Sequence, residues 1–291
     1  MSEERVAMES RKMTTRRLIP FAMMLMILWG TGNAHAHAVL KIVTVPWQKT
    51  ETLEHIYAPL IELVGRKLET TVQLTIAGAY KEVGERLHHR AADIGITGGN
   101  AYVEAKEAYP ELIYLATCKQ PDAYYYSLII THVSSDIRTI SDLVGKSFGY
   151  TDIKSTSGYV YPRLMLKNAG MDPRTIFNKT YFLNKHDKVY DAVGKKVIDA
   201  GGVSITMWDR AVKRNGNVYR ILSRSEPIPR NAIIAGSHLP ENLVNQLRVI
   251  LEQAEKDPVF STKSNVLKGF LIKNDAFYNI VRQAKETSLR P

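Results

Sequence analysis

The sequence predicts an α/β protein of two lobes, each a mostly parallel sheet flanked by helices, with two crossing strands as a hinge. Three observations carry this expectation. Short β-branched runs alternate with stretches of helical periodicity from residue 39 onward, the connections between them are short, and no repeat of fixed period is present. At 291 residues and 45% hydrophobic content, the chain holds enough apolar material for two cores of ordinary size.

Residues 1–36 stand outside that reckoning. Arg11, Lys12, Arg16 and Arg17 precede an apolar run at 18–29, and Ala34-His35-Ala36 then supplies small residues where a signal peptidase reads. The run is 12 residues long, whereas about 20 are needed to span a bilayer. A secretory signal peptide cleaved near Ala36 or Ala38 is expected, and with it a periplasmic mature protein.

Residues 39–45 form a β-branched run stopped by Pro46, which predicts a buried strand. Leu53, Ile56, Leu60, Leu63, Val64 and Leu68 follow at helical spacing. Residues 71–77 predict the next strand, 80–89 a helix, and 92–97 a third strand ending at Gly98-Gly99. Strand, helix, strand, helix, strand is the pattern of parallel βαβ units. The second half predicts a long strand at 124–132, a helical turn at 140–143, a strand at 146–150 and a helix at 158–168. A helix at 188–193, a strand at 197–202 and a helix at 205–214 follow, then a strand at 232–236 and helices at 240–255 and 274–285. Lobe one is expected to comprise 37–130 plus 232–291, and lobe two 131–231. Ligands of open α/β sheets bind beyond the carboxyl ends of the strands, so the candidate loops are 46–51, 77–80, 97–101, 151–158 and 183–187.

The charge balance narrows the partner. Residues 1–36 hold five basic and three acidic groups, so the remainder of the +10 chain carries +8, which favours anions. The positive groups are scattered, with no run longer than Lys195-Lys196, so a small anion is expected and nucleic acid is not. Cys118 is the only cysteine and lies in an apolar context, as a buried small hydrophobe would.

The most informative segment is 151–158, Thr-Asp-Ile-Lys-Ser-Thr-Ser-Gly. It follows a predicted strand and opens a predicted helix, where free N–H groups and the helix dipole attract anions. One hydroxyl suffices for an N-cap. Ser155, Thr156 and Ser157 offer three, and Gly158 permits close backbone approach. Pro162 requires the regular helix to begin beside it, so the loop is expected to be wider than a minimal turn.

Ser155-Thr156-Ser157-Gly158-Tyr159 with Pro162, His186-Asp187, and Val197-Ile198-Asp199-Ala200-Gly201 together resemble the phosphonate/phosphite/phosphate-binding periplasmic proteins of ABC transporters. Tyr80, Ala92-Asp93-Ile94-Gly95 with Gly98 and Tyr102, and Tyr125-Tyr126-Ser127 extend the resemblance over most of the mature chain. It implies a type II periplasmic binding protein that closes on a phosphorus oxyanion and delivers it to an inner-membrane ABC permease. Presentation of a small anion to a sensor kinase or chemoreceptor is the alternative. Carried over by position, Ser155, Thr156 and Ser157 hold the ligand oxygens, and Tyr80, Tyr125 and His186 complete the shell. Alternation along the strand sends Tyr125 to the face opposite Tyr124 and Tyr126, and His186 falls in a polar loop.

The resemblance also has departures. Thr206 and Asn231 stand where relatives that accept aminoalkylphosphonates carry acids. A buried ammonium without a carboxylate partner is costly, so the expected ligand is phosphate, phosphite or a simple alkylphosphonate, held by neutral hydroxyl and amide donors. The sequence has no Gly-x-Ser-x-Gly, His-Glu-x-x-His or Walker A motif and no cysteine pair. No enzymatic activity, cofactor or metal is expected, and the protein is expected to be a monomer.

Overall fold

The three β-branched runs that open the fold pair as parallel strands. A computed structural model describes residues 39–290, so the expected signal peptide lies outside the described residues. β1 (Leu40–Thr44) sits between β2 (Val72–Ile76) and β3 (Ile94–Thr97). β3 is buried along its length, while β2, at the sheet edge, leaves alternate residues exposed. The connecting helices are α1 (Thr50–Leu68), which buries Leu53, Ile56, Leu60, Leu63 and Val64 as their spacing predicts, and α2 (Glu82–His88).

Two elements next in the chain have no counterpart in the sequence reading. α3 (Gly99–Ala108) is built mainly from small and polar residues, so it shows little helical periodicity, and β4 (Ile113–Lys119) holds Cys118. The chain then crosses. The strand expected at 124–132 is two strands, β5 (Tyr124–Tyr125) and β6 (Ser127–His132). Tyr126 interrupts the ladder, and its carbonyl accepts from the Ile205 amide.

The second sheet contains β6, β7 (Ser147–Tyr150), β8 (Lys179–Phe182), β9 (Ala200–Ser204) and β10 (Tyr219–Arg224), in the order β10-β6-β9-β7-β8. α4 (Tyr161–Asn168), α5 (His186–Gly194) and α6 (Trp208–Asn215) connect these strands. β7, β8 and β9 pair in parallel, and β6 runs against both β9 and β10. The chain returns through β11 (Ile228–Pro229), which pairs antiparallel with β5.

β12 (Ala232–Ala235) then inserts antiparallel between β3 and β4. α7 (Glu241–Glu252), α8 (Pro258–Lys263) and β13 (Gly269–Leu271) complete the first sheet, in the order β13-β4-β12-β3-β1-β2. Most strands in each sheet run one way, and the returning strand reverses the first sheet in its middle. α9 (Asn279–Leu289) reaches both sheets. Val281 packs in the first-sheet core, Ala284 packs in the second, and the Arg163 side chain donates to the Ser288 carbonyl at 3.2 Å.

Candidate functional site

The segment after β7 forms the wide turn that Pro162 requires. The Ser155 Oγ accepts from the Gly158 amide at 3.1 Å, a π-type turn runs from Thr156 to Val160, and α4 begins at Tyr161. Gly158 is required here, because a Cβ would lie 1.8 Å from the Thr151 Oγ1. Ser155, Thr156 and Ser157 are each 2% exposed. Together with Tyr80, Tyr125, His186, Thr206 and Asn231 they line one cavity between the two sheets, so the structure brings together all eight residues singled out from the sequence.

Each side chain is positioned by an identifiable local cause. Tyr80 stands two residues before α2, with its phenol beside Ser155. Tyr125 reaches Ser157 and Thr156 from the crossing strand. Burial pushes both phenols above their ordinary values, so both remain protonated donors. His186 is not in a solvated loop. It is the first residue of α5, is buried, and its Nδ1 accepts from the Ser204 amide at 3.1 Å. That bond places the hydrogen of the neutral ring on Nε2. Burial pushes the His186 pKa down to about 4, so the ring is an uncharged donor at neutral pH.

The expectation of purely neutral donors needs correction. Arg230 lines the cavity from the return crossing, 5.6 Å from the Tyr125 ring centroid. Its guanidinium donates to the carbonyls of Asp122 and Gln120, each at 2.9 Å, and to Gln120 Oε1 at 3.0 Å and Thr206 Oγ1 at 3.3 Å. Burial pulls its pKa down from the ordinary value, yet arginine stays protonated at any physiological pH. Its sequence neighbours pointed here, since Asn231 was already singled out, but a lone arginine among 39 basic residues has no spacing signal of its own.

The remaining wall is Gln120, Ser204 and Gly98, with Val45, Trp47 and Cys118 giving an apolar side. Burial pushes the Cys118 thiol up to about 12, so it adds no charge. Among the described residues, no Asp or Glu lines the cavity. Several helix N-termini meet there: the turn at Thr156, α5 at His186, and α3, whose Asn100 amide donates to the Thr156 Oγ1 at 2.8 Å. Partial positive charge from these ends adds to Arg230. The cavity volume is about 50 Å³. On that measure one water takes about 10–15 Å³, so the space suits a small ion.

The two sheets touch at the cavity rim. Asn100 Nδ2 donates to the Lys154 carbonyl at 3.1 Å, Lys154 Nζ pairs with Glu104 at 2.5 Å, and Gln48 contacts Met207.

A family model described as ABC transporter, phosphonate, periplasmic substrate-binding protein matches residues 42–277. The chain belongs to this family. A probable ABC transporter phosphite binding protein, PhnD1, of Prochlorococcus marinus is 23% identical over 184 residues, 61% of this chain and 62% of that protein. The chain thus spans less than two thirds of that relative's length. The phosphate-import protein PhnD of Mycolicibacterium smegmatis is 22% identical over 228 residues, 74% of this chain and 71% of that one. The structure of PhnD1 in complex with methylphosphonate superposes with a TM-score of 0.77 at 18% identity, covering 85% of this chain and 97% of that one. A binding protein component of an ABC phosphonate transporter from Pseudomonas aeruginosa gives 0.78 at 19% identity, covering 86% of each chain. These likenesses establish the two-lobed type II periplasmic binding protein fold. Among the described residues, no group of three or more His, Cys, Asp or Glu could hold a metal ion, and no helix is long and apolar enough to cross a membrane.

Proposed function

We propose that this protein is the substrate-binding component of an ABC importer and captures a phosphorus oxyanion in the cavity between its sheets. Phosphate, phosphite and a simple alkylphosphonate are the ligands the geometry favours. One observation carries the reading: a small, buried cavity walled by hydroxyl, phenol, imidazole and guanidinium donors, with no carboxylate. The hydroxyls of Ser155, Thr156 and Ser157 take the oxyanion from the α4 side. Tyr80, Tyr125 and the His186 Nε2–H close around it, Thr206 and Asn231 complete the shell, and Arg230 supplies the formal charge. Val45, Trp47 and Cys118 face the phosphorus substituent, whether hydrogen or methyl. Hydrogen bonds to an ionised, desolvated acceptor contribute about 1.5–3 kcal/mol each.

Entry of the ion requires the lobes to part. The two crossing strands, β5 and β11, pair with each other and are the natural hinge. The closed form, with the rim contacts made, is what an inner-membrane permease would engage. An ammonium-bearing ligand is disfavoured, since its cation would meet Arg230 and find no acid.

Isothermal titration of the purified mature protein with phosphate, phosphite and methylphosphonate tests the reading. Replacing Ser155→Ala together with Thr156→Ala removes two charge-assisted bonds and should weaken every bound oxyanion about 100-fold or more. Circular dichroism of the double variant controls for folding. Undiminished affinity would move the site elsewhere, and tighter binding of 2-aminoethylphosphonate than of methylphosphonate would refute the ligand class.

A further inference from the structure

We infer that Arg230 makes the cavity a reader of charge, selecting fully ionised, doubly negative oxyanions over singly negative ions of the same shape. The inference rests on the oxyanion reading above and deepens it.

Among the described residues, Arg230 is the only charged one lining the cavity. Its hydrogen bonds go to two carbonyl oxygens, an amide oxygen and a hydroxyl, all neutral. Among the described residues it forms no ion pair, whereas Arg66, Arg174 and Arg282 each pair with an aspartate. The guanidinium is therefore held in place without being neutralised. Because its rotamer is already fixed, little side-chain entropy is lost when an anion arrives. The titratable groups that face it are Tyr125, Cys118 and Asp122, with Tyr278 donating to its carbonyl. Burial keeps Tyr125 and Cys118 protonated. Asp122 is exposed, offers Arg230 its carbonyl and acts on the guanidinium through its charge without forming an ion pair with it.

The wall's own hydrogen bonds point the same way. Ser155 Oγ already accepts from Gly158, Thr156 Oγ1 from Asn100, and Gln120 Oε1 and Thr206 Oγ1 from Arg230. With part of their acceptor capacity already used, these hydroxyls, two of which also bond the Tyr80 and Tyr125 phenols, meet a ligand mainly as donors. A P–OH proton on a singly ionised ligand thus meets donors, with no carboxylate to receive it. A fully ionised dianion only accepts from these donors, and it offsets the guanidinium charge.

Methylphosphonate and methanesulfonate form the test pair, since both carry a methyl group and three oxygens on a tetrahedral centre and differ by one charge once the phosphonate is fully ionised. The wild-type protein should bind methylphosphonate at least about 30-fold tighter at pH 8. Between pH 6 and 9 that affinity should rise with the ligand's second ionisation and then level off, while methanesulfonate binding stays flat. Arg230→Gln should bring the two affinities within about threefold of each other, and Arg230→Lys should retain part of the gap. An equal loss for both ions in Arg230→Gln would make the residue a staple of the crossing and overturn the inference. The pH series on the wild-type protein needs no variant, so a flat methylphosphonate profile overturns the inference even if Arg230→Gln does not fold. If wild-type protein binds phosphate and phosphite but shows no preference within the test pair, only this inference fails. If it binds no oxyanion, the functional reading itself fails.

Discussion

The two polar walls of the cavity are built in opposite ways. The hydroxyl wall is local: Ser155, Thr156 and Ser157 are consecutive, and one turn held by Ser155 Oγ and Gly158 presents all three. The crossing wall is assembled: Gln120, Thr206 and Arg230 come from separate stretches of chain and meet through the guanidinium. The local wall supplies neutral donors and shape. The assembled wall supplies charge, and its cation needs distant carbonyls to hold it in a half-buried position. On the proposed function, a contiguous motif would grip a tetrahedral ion, while the preference among such ions would reside in the long-range contacts.

The largest expected effect comes from breaking the local wall. Gly158→Ala forces a Cβ onto Thr151, and overpacking of this kind costs about 3 kcal/mol. Urea unfolding should show that loss, and oxyanion binding should disappear with it. The crossing wall should be untouched, so the Trp47 fluorescence environment beside it should stay near wild type in the folded fraction.

His186 lies between the walls and gives a pH signature of similar size. Its folded pKa of about 4 lies below the ordinary 6.5, so the unfolded chain takes up a proton that the folded chain refuses between those values. Stability is full above pH 6.5 and falls as the pH drops towards 4, by up to about 1.4 kcal/mol per pH unit. His186→Gln should flatten that part of the stability profile in thermal unfolding. A saturating oxyanion should also flatten it, because a bound anion raises the histidine pKa towards its ordinary value.

The smallest effect belongs to the rim. The Lys154–Glu104 pair joins the two sheets and is partly exposed, and such pairs contribute about 0.2–1 kcal/mol. Lys154→Met should weaken oxyanion binding no more than about fivefold. Titration in high salt should erase the difference, since screening removes the same interaction from the wild-type protein.

What could be read in advance followed from periodicity and contiguity. β1, β2, β3 and α1 announce themselves because β-branched runs and an i, i+3, i+4 stripe bury faces on their own. The 3₁₀ turn at Ile140–Leu143 was found for the same local reason, and α4 starts where Pro162 demanded. β8, β10 and β13 give no strand signal of their own: β8 and β10 carry polar residues, β8 is largely exposed and β13 is only three residues long, so their pairing depends on neighbours far along the chain. α3 was missed although its N-terminus donates to Thr156, because Gly, Asn and Ala show no helical stripe. The sequence places His186 in a loop because its helix begins at the histidine itself, and the Ser204 amide that orients the ring lies 18 residues away.

The sequence alone determined the α/β class and the hydroxyl turn, because these depend on residues close together along the chain. Tertiary structure alone decided that Tyr80, Tyr125, His186, Thr206 and Asn231 share one cavity with that turn. It also decided that a single arginine, held by carbonyls and paired with no acid, gives the cavity its charge. The physical reason is that a buried charge is tolerated or excluded by everything around it, and no stretch of sequence contains its whole surroundings.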